Sequence, residues 1–131
     1  VWLASRALVP LMRAAGGGSI INIASATVFS GSPLWMHYVA SKGAVIAMSR
    51  TLAKEVGPDA IRVNVLAPGF TLTEASLGLI ENARNYGVDR AALKRPAGTE
   101  DIVGGALFLA SPLSSYMTGQ TLIIDGGRQF I

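Results

Sequence analysis

The chain has 131 residues, 50% hydrophobic and 15% charged, which suits one compact α/β domain with a buried core better than a small solvated module. Its net charge of +3, from 11 basic and 8 acidic residues, is spread out, and the only dense basic pair is Lys94-Arg95, so no nucleic-acid footprint is expected. The absence of cysteine excludes disulfides, thiol chemistry and cysteine metal sites and is compatible with a reducing cytosol, and no apolar run is long enough for a membrane span.

Residues 1–15 place Trp2, Leu3, Leu8, Leu11 and Met12 at helical spacing up to Gly16-Gly17-Gly18. Pro10 inside this helix is expected to kink or weaken it. Val1-Trp2-Leu3-Ala4 has no initiator Met and no basic leader and reads as mid-helix, so the expectation is a fragment whose upstream part is absent. Ser19–Ala24 is a short β-rich run, and residues 26–36 read as a loop with exposed-looking Leu34, Trp35 and Met36. A helix is expected from about 37 to 56, stopped by Gly57-Pro58. Ile61–Leu66 is a second strand, broken by Pro68-Gly69. Residues 73–94 are polar and expected to be partly helical, with weak points at Gly78 and Gly87. Thr99 is placed to N-cap a helix opening with Glu100-Asp101 and running to about Ala110, acids that complement its dipole. Thr121–Ile124 is the third strand, and Asp125-Gly126-Gly127 a structural turn.

This order of helices and strands predicts a parallel sheet with right-handed crossovers. Strands written as nearly continuous apolar runs imply that both sheet faces are covered. Ligands in such sheets bind outside the carboxyl ends of the strands. Ser25 follows the first strand and Pro68-Gly69 the second, so both reach one rim. Tyr38 and Lys42 lie four residues apart on a helix, which gives phenol and ammonium a common face. A lysine charge beside a phenol favours phenolate, and a serine hydroxyl nearby can hold the same substrate oxygen. That trio suits proton transfer at a carbonyl or alcohol.

The segments Gly18-Ser19-Ile20-Ile21-Asn22-Ile23-Ala24-Ser25, Tyr38-Val39-Ala40-Ser41-Lys42-Gly43, Ile61-Arg62-Val63-Asn64-Val65-Leu66-Ala67-Pro68-Gly69 and Thr118-Gly119-Gln120 with Asp125-Gly126-Gly127 resemble the successive signatures of the short-chain dehydrogenase/reductase family. They stand in the family's order and spacing and cover nearly the whole chain. The resemblance implies the C-terminal half of a Rossmann-type doubly wound parallel sheet, three parallel strands with flanking helices. Residues 1–131 would be the catalytic and substrate-binding part of a single domain whose N-terminal dinucleotide-binding half is absent.

It also implies a cytoplasmic oxidoreductase that uses NAD or NADP on a small-molecule alcohol or carbonyl substrate. Tyr38 would be the general acid/base, Lys42 its electrostatic partner and a holder of the cofactor ribose, and Ser25 the residue that orients the substrate oxygen. Pro68-Gly69 would lie beside the nicotinamide ring, Thr71 would meet the carboxamide through its backbone, and Thr73 would reach the carboxamide or phosphates. A helix N-cap explains Thr73 equally well.

Several parts of the family pattern are missing. The glycine-rich phosphate loop, the residue that selects the adenosine ribose and the Asn-Asn-Ala-Gly stretch do not occur. The fourth catalytic residue, an asparagine, would fall before Val1, and Asn22 does not take its role. The stretch Arg95-Pro96-Ala97-Gly98-Thr99-Glu100-Asp101 lacks the proline the family usually places before the acidic pair. The 131 residues alone are therefore expected to be inactive.

The lone His37 reads as a pocket-edge or solvated residue, and no cluster supports a metal site. Leu34, Trp35 and Met36 fit either a pocket wall or core. Residues 74–94 occupy the place of a substrate lid, where Glu74, Leu77, Leu79, Ile80 and Tyr86 would shape specificity. The lean helix with Ala40, Ser41, Gly43, Ala44, Ala47 and Ser49 implies a close approach, in the family the interface of a homodimer or homotetramer. The alternative in another class is a non-catalytic remnant or oligomerisation module of the same fold. A serine hydrolase finds no support, because there is no Gly-x-Ser-x-Gly elbow.

Overall fold

A computed structural model describes all 131 residues. The most apolar run of the sequence becomes the centre of the sheet. Strand β2 (Ile61–Pro68) pairs in parallel with β1 (Gly18–Ile23) on one edge and β3 (Thr121–Ile124) on the other, in the order β1-β2-β3. The registers run from Gly18 opposite Ile61 to Ile23 opposite Leu66, and from Val65 opposite Thr121 to Pro68 opposite Ile124. β2 continues two residues past its expected end at Leu66, up to the first residue of the expected break at Pro68-Gly69. Pro68 can close the strand because its carbonyl still accepts, from Ala26 N–H at 3.0 Å, although its ring nitrogen cannot donate.

The two faces of β2 divide the helices. Ile61 and Val63 pack with Val9 of α1 (Trp2–Ala14) and with Ala53 and Val56 of α3 (Met36–Val56). Val65 and Ala67 pack with Val45 and Ile46 of α3. The alternate residues face α5 (Glu100–Ala110), where a Cβ on Gly105 would strike Ile124 and meet Leu122 and Leu66. Arg62 spreads its guanidinium over the C-terminus of α5, donating to Leu109 O, Ser111 O and Ser114 Oγ at 3.1, 3.2 and 2.9 Å. The sheet is therefore covered on both sides, which is why its strands read as apolar runs rather than alternating ones.

Because α3 and α5 lie on opposite faces while β1, β2 and β3 follow one another in a row, the two crossovers have opposite hands. The expectation that both are right-handed fails for one of them. The β2–β3 connection is long, and Arg62 and Gly105 hold its helix to the far face.

Local differences also have identifiable causes. α1 runs through Pro10 unbroken. The 26–36 loop contains a single helical turn, α2 (Thr27–Ser30), opened by Thr27 N–H donating to Ser25 Oγ at 3.3 Å. Only Glu74–Leu79 of the polar stretch forms an α-helix, α4, followed by a 3-10 turn at Ala83–Asn85. Thr99 does not cap α5: its backbone is already helical and its side chain accepts no capping bond. Asp101 reaches back instead, accepting from Gly98 N–H at 2.9 Å while Arg95 grips it through two bonds of 2.6 and 2.7 Å. No helix is long and apolar enough to cross a membrane.

Candidate active site

Ser25 sits two residues beyond β1 and is 9% exposed. Its Oγ accepts from Thr27 N–H and from Thr27 Oγ1 at 2.9 Å. Its own proton goes to no protein acceptor and remains available to an oxygen in front of it. Tyr38 and Lys42 occupy successive turns of α3, both half-buried. The Lys42 ammonium donates to Ile23 O at 3.0 Å and stands 5.8 Å from the centre of the Tyr38 ring. Trp35 meets that ring edge-on, centroids 5.5 Å apart at 86°, an arrangement aromatic pairs favour. The phenol oxygen has no protein hydrogen-bond partner.

All three side chains line one cavity of about 700 Å³, together with Pro68, Gly69 and Thr71. That volume suits a small molecule. Gly69 lies against the β3 exit, and a Cβ there would stand 2.7 Å from Asp125 Cβ and 2.8 Å from its Cα. Glycine is required by this close approach within the chain. Thr71 bonds to Gly69 O at 3.2 Å through its hydroxyl and bridges Ala97 through its backbone. Thr73 lies off the cavity wall. Its hydroxyl accepts from Ser76 N–H at 3.1 Å, while Ser76 Oγ accepts from Thr73 N–H at 2.8 Å, a reciprocal capping box.

The residues left open between wall and core divide. Trp35 lines the cavity, whereas Leu34 and Met36 are 97% and 84% exposed. Among the expected lid residues, Leu79, Ile80 and Tyr86 line it, and Glu74 and Leu77 do not. Sequence reasoning missed Phe70, Ile102, Val103 and Arg128 on this wall. The rim rule, applied to the third strand as it was to the first two, points to the residues after β3, Arg128 among them. The Arg95–Asp101 pair lies outside the large cavity, on the smaller one. The hydrogen bonds from Arg95 and from Gly98 N–H pull the Asp101 carboxyl down to about 2, and Asp101 in turn raises the Arg95 guanidinium.

A family profile described as enoyl-(acyl carrier protein) reductase matches residues 1–129. The 3-oxoacyl-[acyl-carrier-protein] reductase of Chlamydia muridarum is 45% identical over 121 residues, 92% of this chain and 49% of that protein. A 3alpha-hydroxysteroid dehydrogenase of Mediterraneibacter gnavus is 40% identical over 129 residues, 98% of this chain and 52% of its own. The crystal structure of 3-oxoacyl-[acyl-carrier protein] reductase from Brucella melitensis superposes with a TM-score of 0.88 at 35% identity, covering 97% of this chain and 48% of that one. The chain thus spans about half the length of the relatives it matches. In motif order, in sheet topology and in these likenesses, it belongs to the short-chain dehydrogenase/reductase family.

Proposed function

We propose that the protein, as a complete polypeptide, is an NAD- or NADP-dependent oxidoreductase acting on an alcohol or carbonyl compound. The observation that carries this reading is the meeting of Ser25, Tyr38 and Lys42 on one cavity with Pro68, Gly69 and Thr71. The residues suit a nicotinamide group: Gly69 presents no side chain, and the Lys42 ammonium has three protons, of which the protein's hydrogen bonds use one, at Ile23 O. Lys42, Thr71 and the Pro68-Gly69 backbone would hold it. Thr73 joins them only if its hydroxyl leaves the α4 cap. When bound, the nicotinamide supplies or accepts the hydride.

The chain's own residues handle the proton. Ser25 donates its free hydroxyl proton to the substrate oxygen and fixes it near the phenol. Tyr38 gives its proton to that oxygen in reduction, or takes it in oxidation, and the Lys42 charge stabilises the phenolate left behind. Trp35 limits the tilt of the ring. A remnant without catalysis would have no need of a free serine proton, a free phenol and a lysine charge on one wall. Turnover is expected only from a polypeptide that also carries a phosphate cradle, which these 131 residues do not supply.

Tyr38→Phe in the complete protein tests the reading. Turnover should vanish while cofactor binding, followed by nicotinamide fluorescence, persists. Activity within a few-fold of the parent would remove Tyr38 from the chemistry.

The same proposal includes a homodimer or homotetramer formed through α3. Ala40, Ala44 and Ala47 are exposed, a lean face along the helix. Gly43 meets only Val28 within the chain, and a Cβ there would sit at an ordinary 3.9 Å. Ser49 is buried and bonded to Asn22, but nothing inside the chain packs against this exposed alanine face. A monomer of the complete protein in light scattering would reject this interface.

A further inference from the structure

Three charged residues line the large cavity, Lys42, Arg90 and Arg128, and no aspartate or glutamate does. Lys42 belongs to the proton-transfer wall. Arg90 is exposed, with Asp89 as far as 4.0 Å away. Arg128 is held differently. It follows the turn at the exit of β3, and its guanidinium carbon stands 5.5 Å from the centre of the Tyr86 ring. Tyr86 is tilted against Phe70 at 4.7 Å. The cation thus rests on an aromatic pair anchored to the β2 exit loop, a favourable support for arginine.

Arg128 is half-buried, yet its guanidinium has no protein acceptor. Its backbone N–H alone is engaged, donating to Asp125 Oδ1 at 3.1 Å. Asp125 shares the smaller cavity of about 120 Å³ with Arg128 and its buried Oδ2 has no hydrogen-bond partner, yet no ion pair joins it to the guanidinium. Asp101, also on that smaller cavity, is occupied by Arg95. A guanidinium offers five donors in a fixed fork and keeps its charge at every accessible pH. Withdrawing it partly from water without an acceptor is unfavourable for folding, and it recognises carboxylate or phosphate strongly.

We infer that Arg128 is a specificity determinant that reads an anionic group on the substrate. The substrate class is then an oxo or hydroxy compound carrying a carboxylate or phosphate away from the reacting carbon. The reacting oxygen goes to Ser25 and Tyr38, and the anion goes to the fork held on Tyr86. The inference rests on the proposed redox function for the reacting end of that molecule, and on Arg128 alone for the anionic end.

The test uses the complete protein and two ketones that differ only in charge, 4-oxopentanoate and its methyl ester, with nicotinamide oxidation as readout. Arg128→Gln should lower kcat/KM for the acid about tenfold to a hundredfold, mainly through KM, and leave the ester within about twofold. Arg128→Lys should restore part of the loss. Calorimetric binding of 4-oxopentanoate and of inorganic phosphate should weaken at least about tenfold in Arg128→Gln. Equal losses on acid and ester would mean a structural role and overturn the inference. So would a selective loss of cofactor affinity, which would assign the arginine to the cofactor's phosphates. If neither ketone turns over in the parent but carboxylate binding still depends on Arg128, the redox function falls and the anion site stands. Turnover of both ketones, indifferent to Arg128, overturns the anion site and leaves the redox function standing.

Discussion

Lys42 donates to the Ile23 carbonyl at 3.0 Å, a bond from the second turn of α3 to the last residue of β1. Ser25 follows two residues later, and the Tyr38 ring lies 5.8 Å from the same ammonium. One side chain therefore ties the helix that carries the phenol to the strand that carries the serine, and supplies the charge beside the phenol. Lys42→Met removes both effects. In the complete protein kcat should fall about a hundredfold or more, with cofactor affinity also weakened. Lys42→Arg keeps the charge but replaces a point donor with a planar fork, and should recover only part of the rate. Steady-state kinetics with a parallel cofactor titration checks both variants. A Lys42→Met enzyme within about twofold of the parent would leave the proposed role of this bond without support.

Gly69→Ala probes the rim from the other side. The added methyl would meet Asp125 Cα and Cβ, at 2.8 and 2.7 Å, and Asp125 opens a turn that cannot yield like a flexible side-chain end. Gly69 N–H also donates to Ile124 O at 2.8 Å, so the methyl would push the β2 and β3 exits apart. Overpacking of this kind costs about 1–3 kcal/mol. The urea midpoint should drop, and the Michaelis constant for the cofactor should rise because Thr71 follows two residues on. An unchanged midpoint would show that the two strand exits separate freely.

Most of the architecture was legible because the information was local. The three apolar runs, the Gly16-Gly17-Gly18 and Gly57-Pro58 stops and the four-residue Tyr38–Lys42 spacing each act within a few residues. Ser25, Tyr38, Lys42, Pro68, Gly69 and Thr71 reached one cavity because the ends of adjacent parallel strands must share a rim. What was not legible depends on competition among neighbouring polar side chains and on contacts between distant segments. Asp101 took the capping task from Thr99 because Arg95, six residues earlier, holds its carboxylate in place. Thr73 takes the helix N-cap that the sequence left open beside cofactor contact, and the reciprocal bond from Ser76 is what engages its hydroxyl there. Arg128 belongs to the rim that β3 shares with β1 and β2, but its support on Tyr86, forty-two residues away in sequence, follows from no spacing rule.

The C-terminus of α5 is a further case of such remote support. Arg62 sits in the middle of the sheet sequence, where a charge looks misplaced, yet its guanidinium satisfies Leu109 O and Ser111 O and holds Ser114 Oγ. A cation at this end also complements the helix dipole. Arg62→Met keeps much of the packed stem and removes the donors. Hydrogen bonds from a charged group are worth about 1.5–3 kcal/mol, and Ser19 and Ser114 still cover Leu109 O. A loss of about 2 kcal/mol is expected, read as a lower urea midpoint at unchanged slope. No loss would show that the two serines cap the helix without help.

The Arg95–Asp101 clamp carries a pH signature. The hydrogen bonds from Arg95 and Gly98 N–H lower the Asp101 carboxyl from 3.8 to about 2 in the folded protein. A depressed folded value means that the native state holds its proton less tightly than the unfolded chain does. The stabilisation is therefore fully present above about pH 4 and is lost as the pH falls toward 2. Both side chains reach solvent, so salt should weaken the effect. The parent should lose urea resistance between about pH 4 and pH 2.5 more steeply than Asp101→Asn, and the difference should shrink in about 1 M salt. Because the clamp fixes the segment whose Ala97 pairs with Thr71, Asp101→Asn should also raise the cofactor's Michaelis constant at neutral pH. Identical acid profiles for the parent and Asp101→Asn would show that the carboxylate contributes nothing to stability. An unchanged Michaelis constant would separate the clamp from the cavity.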